Sequence, residues 1–159
     1  MHDQTYQIRS IGHVQANEHG FALHIAEPYR AGLKELGQFS HVKVYWWADQ
    51  CDTAEGRATV QVEPPYAKGQ IVGVFACGSP ARPNPLAATT CFVLGVDEAA
   101  GVVQVPWIDA FDGTPLIDLK PYVPVADRAR EVYGPAWFAP LPQWLDDGAD
   151  IPPGFFGDE

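Results

Sequence analysis

The residues best suited to chemistry lie in three short stretches. The first is Gly73-Val-Phe-Ala-Cys-Gly-Ser-Pro-Ala-Arg-Pro-Asn-Pro85. Pro80, Pro83 and Pro85 hold φ at about −65°, so Ser79, Arg82 and Asn84 ride on a stiff extended loop with little ordering entropy left to lose. Asn84 can offer an acceptor and donors to an adenine edge, and Arg82 can grip a carboxylate or phosphate. Asn84-Pro85 equally suits an ordinary turn.

The second stretch runs from Pro106 to Tyr122 and packs Asp109, Asp112, Asp118 and Lys120 into twelve residues beside Trp107, Ile108 and Leu116. Carboxylates here can balance a cationic ligand or serve as a general base. An Asp118–Lys120 pair, an Asp–Arg82 pair and turn capping by Asp112 are the structural alternatives. The third stretch, Phe39–Gln50, ends its strand on the polar pair Asp49-Gln50, well placed at a strand mouth. His41 suits a structural hydrogen bond better than catalysis. Tyr45, Trp46, Trp47 and Trp107 can stack a base or fill a core.

Other chemistries are not written here. GxGxxG after a strand, GxxxxGK[ST], GxSxG and HExxH are all missing. Cys51, Cys77 and Cys91 form no CxxC and have no histidine at ligand spacing, so no metal site and no disulfide framework is expected; a reducing cytoplasm fits. The first residues lack a basic start and an apolar run, and no segment approaches the roughly 18 apolar residues of a membrane span.

The elements that must position these stretches are mostly strands. Alternation or Val-rich runs bounded by turn residues predict strands at Tyr6–Val14, Phe21–Ile25, His41–Trp47, Ala58–Val62, Gln70–Cys77, Thr89–Val96 and Val102–Ile108. Thr114-Pro115 leads into a further one. Helical turns are expected around Tyr29–Leu36 and Ala126–Val132. The fold class is therefore mainly β, a barrel or sandwich with short helices. With 159 residues, 47% apolar and 19% charged, the chain is a single folded domain rather than a disordered chain or coiled coil.

From residue 133 onward Pro135, Pro140, Pro142, Pro152 and Pro153 forbid regular structure, yet Trp137, Phe138, Trp144, Leu145, Phe155 and Phe156 are too apolar for a solvated tail. We expect a domain over 1–132 and an irregular arm over 133–159, packed on its own domain, on a dimer mate or over a cleft. The net charge is −10, and half of the excess lies in that arm: Asp146, Asp147, Asp150, Asp158 and Glu159. Such a balance disfavours polyanion binding, tRNA included, unless a local basic patch survives.

Together the three stretches resemble the TsaA-like family, also called YaeB or TrmO. The matching pieces are Ile11-Gly12, Leu36–His41 with Phe-Ser-His, Gly73–Ala76, Ser79-Pro80, Arg82–Pro85, Asp112-Gly-Thr-Pro and Asp118-Leu-Lys-Pro-Tyr122, over residues 8 to about 127. The resemblance implies a small closed or partly open β-barrel, a homodimer, and S-adenosyl-L-methionine bound near the dimer interface. It also implies methyl transfer to threonylcarbamoyl-adenosine in tRNA.

Carried over by position, Asp49, Gln50, Gly78, Ser79, Ala88, Trp107, Ile108 and Asp109 fall on the cofactor site, which Arg82 and Asn84 join from the proline-spaced loop; the ureido-type acceptor that the resemblance implies would benefit from a general base such as Asp109 or Asp118, and no metal is needed. Two departures stand out. Gly78 replaces the family's arginine before Ser79-Pro80, and a Pro-Arg-Gln loop is missing between Val14 and Phe21. A divergent module that binds the cofactor without modifying tRNA is therefore the alternative, followed by an interaction protein that uses the apolar arm.

Overall fold

The computed structural model describes residues 4–139 and 141–146; Pro140 and the segment holding Phe155 and Phe156 lie outside them. The architecture is mainly β. Strands β1 (Gly12–Asn17), β2 (Gly20–Ile25), β3 (His41–Trp47), β4 (Gln61–Val62), β5 (Val72–Gly73), β6 (Leu86–Phe92), β7 (Gly95–Asp97), β8 (Val102–Val105) and β9 (Pro115–Pro121) are joined by short helical turns. Seven of them form one antiparallel sheet in the order β6-β3-β9-β1-β2-β8-β7, and β4 and β5 form a separate ribbon.

Period-2 patterning explains the core. Val42 and Val44 of β3 point inward with no exposed surface, and they meet Val14, Leu23, Val103 and Leu116 from β1, β2, β8 and β9. On the other face of β3, His41, Lys43, Tyr45 and Trp47 stay partly open. Trp46, equally suited by sequence to stacking a ligand, packs against the core, and its indole N–H donates to Thr89 Oγ1 at 3.0 Å.

Among the described residues no ladder closes the sheet into a barrel. β6 and β7 occupy opposite edges of the sheet and share no ladder, but they are nearly consecutive in the chain. Between them, Val93 N–H donates to Ser40 O at 2.8 Å and Leu94 N–H to Gln104 O at 2.9 Å, so the two linking residues bond to opposite ends of the strand order. The bent segment thus bonds toward both sides of the sheet without a ladder that joins its edges, which falls within the expected barrel only in its partly open form. The expected single strand Thr89–Val96 is accordingly two strands.

Other boundaries also shift for local reasons. The first strand begins at Gly12 rather than Tyr6, because Ile11 N–H bonds Leu116 O and residues 4–10 find no ladder partner among the described residues. A Cβ on Gly12 would stand 1.9 Å from His24 O, so only glycine admits this close entry. Pro106 ends β8 at Val105, short of Ile108. Ala58 belongs to a helix, α1 (Ala54–Ala58), capped by Thr53, whose Oγ1 accepts from Gly56 N–H. The strand expected over Gln70–Cys77 is only β5, followed by a 3-10 turn at Val74–Ala76. The helical turn at Tyr29–Leu36 is a 3-10 segment at Glu27–Leu33, and that at Ala126–Val132 is α2 (Pro124–Asp127). The shortened β1–β2 connection is a tight hairpin with Gly20 at φ +103°.

No helix among the described residues is long and apolar enough to cross a membrane, and no group of three or more metal-ligating side chains occurs among them.

The pairing of Lys43 with Asp127 anchors α2 onto β3, and Asp127 also accepts from Val123 N–H. The hydrogen bond from Lys43, then that from Val123, holds the Asp127 carboxyl below its ordinary range, and the same contact holds Lys43 above its own. The carboxylate contribution is thus complete above about pH 4 and is lost as pH falls through the lowered folded value; the lysine contribution is complete below about pH 10 and is lost above its raised value. An Asp127→Asn variant is expected to lose stability between these limits and to show a flatter acid limb. Urea midpoints measured from pH 2 to 9 check this, and an unchanged acid limb would contradict it.

Candidate functional site

One end of the sheet gathers the three chemistry-bearing stretches. β3 finishes where β6 and β9 begin: Trp47 faces Leu86, and Trp46 faces Leu116 across a bulge in the β3–β9 pair. Ala48 N–H donates to Pro85 O at 2.8 Å, so the 3-10 turn Asp49–Cys51 lies beside the end of the proline-spaced loop. The loop from Pro106 to Thr114 enters β9 at the same end. Asp112 ties it to β1, accepting from Ala16 N–H at 2.9 Å and from Asn17 Nδ2 at 3.3 Å. Asp112 is therefore a turn anchor.

Asp49 and Gln50 are exposed on their turn. Gly78 is exposed, and the space where a Cβ would stand is empty out to 4 Å. Its backbone N–H donates to the hydroxyl oxygen of Tyr66, whose phenol burial pushes above its ordinary range. Trp137 of the C-terminal arm stacks on the Tyr66 ring at 6.1 Å between centroids. Ser79 Oγ donates within the loop to Ala81 O at 3.3 Å. Asn84 is exposed, and its carbonyl accepts from Leu86 N–H at 2.7 Å.

Arg82 does not face outward as a carboxylate grip. Nη2 donates to Val74 O at 2.8 Å and Nη1 to Cys77 O at 3.3 Å and Ser79 O at 3.4 Å, so the guanidinium braces its own loop. Among the described residues it forms no ion pair, and the Asp–Arg82 alternative is not seen. The Asp118–Lys120 pair is present, loose at 3.9 Å and half exposed.

Ala88 and Asp118 flank Tyr45 on either side, opposite it in β6 and β9 respectively, on the outer sheet face. Lys120 Nζ sits 6.0 Å from the centre of the Tyr45 ring. Trp107 is half exposed on the loop after β8, but Ile108, at 2% exposure, is committed to the core and offers no side-chain wall to a ligand. Asp109 lies exposed on the same loop, and partial desolvation of its carboxyl raises its pKa. No contact joins Asp109 to Asp118 among the described residues; the first belongs to the loop end and the second to the outer sheet face.

One cluster escaped the sequence reading. The Trp47 indole N–H donates to Asp52 Oδ2 at 2.9 Å, Arg57 pairs with Asp52 Oδ1 and donates to Pro83 O at 3.2 Å, and its guanidinium lies 5.6 Å from the Trp47 ring centre. The signal that marks it is Thr53, an N-cap residue opening a short helix whose Arg57 projects back toward the strand end. Two surface concavities of about 370 and 320 Å³ lie over β7–β8 and over β1-β2-β8, and neither is lined by the three loops.

Residues 10–128 match the family model of the tRNA-methyltransferase O N-terminal domain. Among curated relatives, an S-adenosyl-L-methionine-binding protein of Archaeoglobus fulgidus is 34% identical over 110 residues, covering 69% of this chain and 74% of its own. A probable S-adenosyl-L-methionine-binding protein of Pyrococcus horikoshii is 30% identical over 132 residues, covering 82% and 92%. The crystal structure of TrmO from Pseudomonas aeruginosa superposes with a TM-score of 0.63 at 26% identity, over 82% of this chain. The chain spans 61% of the length of that protein.

Arg82→Ala leaves three half-buried loop carbonyls without their donor, which costs about 1–3 kcal/mol. A fall of that size in the free energy from urea unfolding is expected; unchanged stability would show that the guanidinium is not a brace.

Proposed function

We propose that this chain, which belongs to the tRNA-methyltransferase O N-terminal domain family, binds S-adenosyl-L-methionine at the loop end of its sheet and transfers the methyl group to a tRNA nucleoside of the threonylcarbamoyl-adenosine type. The observation that carries this reading is the convergence of Asp49-Gln50, the Gly78–Pro85 loop and the Pro106–Thr114 loop at the shared end of β3, β6 and β9.

The donor set suits a sulfonium nucleoside in most respects. Asp49 and Asp109 supply negative charge at the loop end, Trp47 and Trp107 supply partly open aromatic walls, and Asn84 supplies a planar amide on a stiff backbone. When bound, the cofactor supplies an electrophilic methyl group on a positively charged sulfur. The protein contributes alignment and charge balance for an in-line displacement. A ureido-type nitrogen is a poor nucleophile and benefits from a base. Both carboxylates are exposed, but desolvation raises the pKa of Asp109 and Asp118 is already shared with Lys120, so Asp109 is the better matched of the two to that role. We assign the domain to residues 1–132, with the arm from 133 resting on it through Trp137 and Tyr66. We place a second copy of the chain against edge strand β6, where Leu86 and Phe92 are exposed beside Ala88 and unpaired backbone is available.

A second reading has a specific observation in its favour. With Gly78 in place of the arginine and Arg82 turned onto carbonyls, the loop presents little cationic grip for the cofactor's carboxylate. This favours a weak cofactor-binding module that does not modify tRNA.

Calorimetry with S-adenosyl-L-methionine and methyl transfer to tRNA carrying or lacking the threonylcarbamoyl group separate the readings. Binding and transfer to the modified tRNA are expected, with the rate rising with pH as Asp109 ionises and, in Asp109→Asn, transfer lost to a much greater degree than binding. Binding without transfer to any tRNA would establish the second reading. Gly78→Arg fits the open space at that position and is expected to tighten binding by roughly one to two decades, the worth of a charged hydrogen bond; an unchanged affinity would place the cofactor's carboxylate elsewhere.

A further inference from the structure

We infer that Arg57 is the positioning residue of the proline-spaced loop, holding Asn84 in place through the carbonyl of Pro83 and setting the loop against the end of β3. The inference rests on the reading of this loop as part of the cofactor site. Asn84 stands between two carbonyls that are both held from outside the loop. Pro83 O accepts from Arg57 Nη1 at 3.2 Å, and Pro85 O accepts from Ala48 N–H at 2.8 Å. Pro83 and Pro85 have no N–H of their own, so the loop cannot close a backbone ladder here and depends on such donors.

Arg57 is itself fixed on two further sides. Its Nε pairs with Asp52 Oδ1, its guanidinium rests over Trp47 with the centroid at 5.6 Å, and Asp52 is steadied in turn by the Trp47 indole N–H at 2.9 Å. The hydrogen bond from Arg57, then that from Trp47, lowers the Asp52 pKa, so the carboxylate stays charged through the neutral range. The fork geometry of a guanidinium allows one side chain to pair with a carboxylate and still direct a second N–H at a carbonyl, which a lysine cannot reproduce. The helix that carries Arg57 is pressed against the Asp49–Cys51 turn. A Cβ on Gly56 would fall 2.1 Å from Cys51 O, so glycine is required at this approach. One small cluster therefore sets Asp49-Gln50 and Asn84 relative to each other. Arg82 braces the same loop from the inside, through Val74, Cys77 and Ser79.

The test compares Arg57→Ala, Arg57→Lys and Asp52→Asn with Arg30→Ala. Arg30 also braces carbonyls, those of Ile25 and Ala99, but on a different loop, and so reports a purely structural role. Two readouts are taken well below the unfolding midpoint: calorimetric affinity for S-adenosyl-L-methionine, and amide hydrogen exchange without ligand at Ala48 and Leu86. Arg57→Ala is expected to weaken binding by about tenfold or more, the scale of one lost charged hydrogen bond, and to speed exchange at both amides. Arg57→Lys should recover only part of the affinity, Asp52→Asn should shift both readouts in the same direction, and Arg30→Ala should leave both unchanged. Unaltered exchange in the Arg57 variants, or a change equal to that in Arg30→Ala, overturns the inference. Faster exchange in a protein that binds no cofactor in any form supports the positioning role and refutes the proposed site instead.

Discussion

β3 is laddered along both of its sides, and the site depends on that double pairing. Its register with β6 brings Trp47 to Leu86 and Tyr45 to Ala88; its register with β9 brings Tyr45 to Asp118 and Trp46 to Leu116. A slip of one residue would turn Val42 and Val44 out of the core and reverse every side chain on the strand, so core burial and site geometry are specified by the same alternation. Segments far apart in sequence meet because one buried strand fixes where their neighbours begin and end.

The loops that meet there are poor in backbone donors. Pro80, Pro83 and Pro85 remove three N–H groups from a short stretch, and the carbonyls around them must find partners elsewhere. Two arginines answer this from opposite sides, Arg82 from within the loop and Arg57 from α1. The stiffness read from the prolines is thus only half of the device; the other half is a set of guanidinium bonds to backbone. Cations committed in this way are not available to a ligand's carboxylate, which gives the Gly78 replacement its weight.

Much of the fold was legible in the residues. The period-2 pattern of His41–Trp47 gave β3 with its true limits, and the Val-rich run after Gly101 gave the start of β8 but overran its end at Val105 to Ile108. What was not legible came from tertiary contacts. The bend at Val93-Leu94 splits one continuous apolar run because its two amides bond to different strands. Ile108 reads as a ligand wall, and Trp46 as either a stacking surface or core; both are drawn into the core, because apolar side chains near a strand end gain more from burial than from exposure. For the site, sequence gave the segments but not the direction of Arg82, since a guanidinium suits a carboxylate and a carbonyl alike. It also missed Arg57, whose role exists only once α1 is folded back on β3.

The most direct test of the account is a nuclear magnetic resonance titration of the uniformly 15N-labelled chain with S-adenosyl-L-methionine. The account predicts shifts concentrated at the amides of Asp49, Gln50, Gly78, Ser79, Asn84, Trp107 and Asp109, with little change at His24 or Gln15 on the far face of β1 and β2. Shifts centred on that far face, or none at any cofactor concentration, would contradict it.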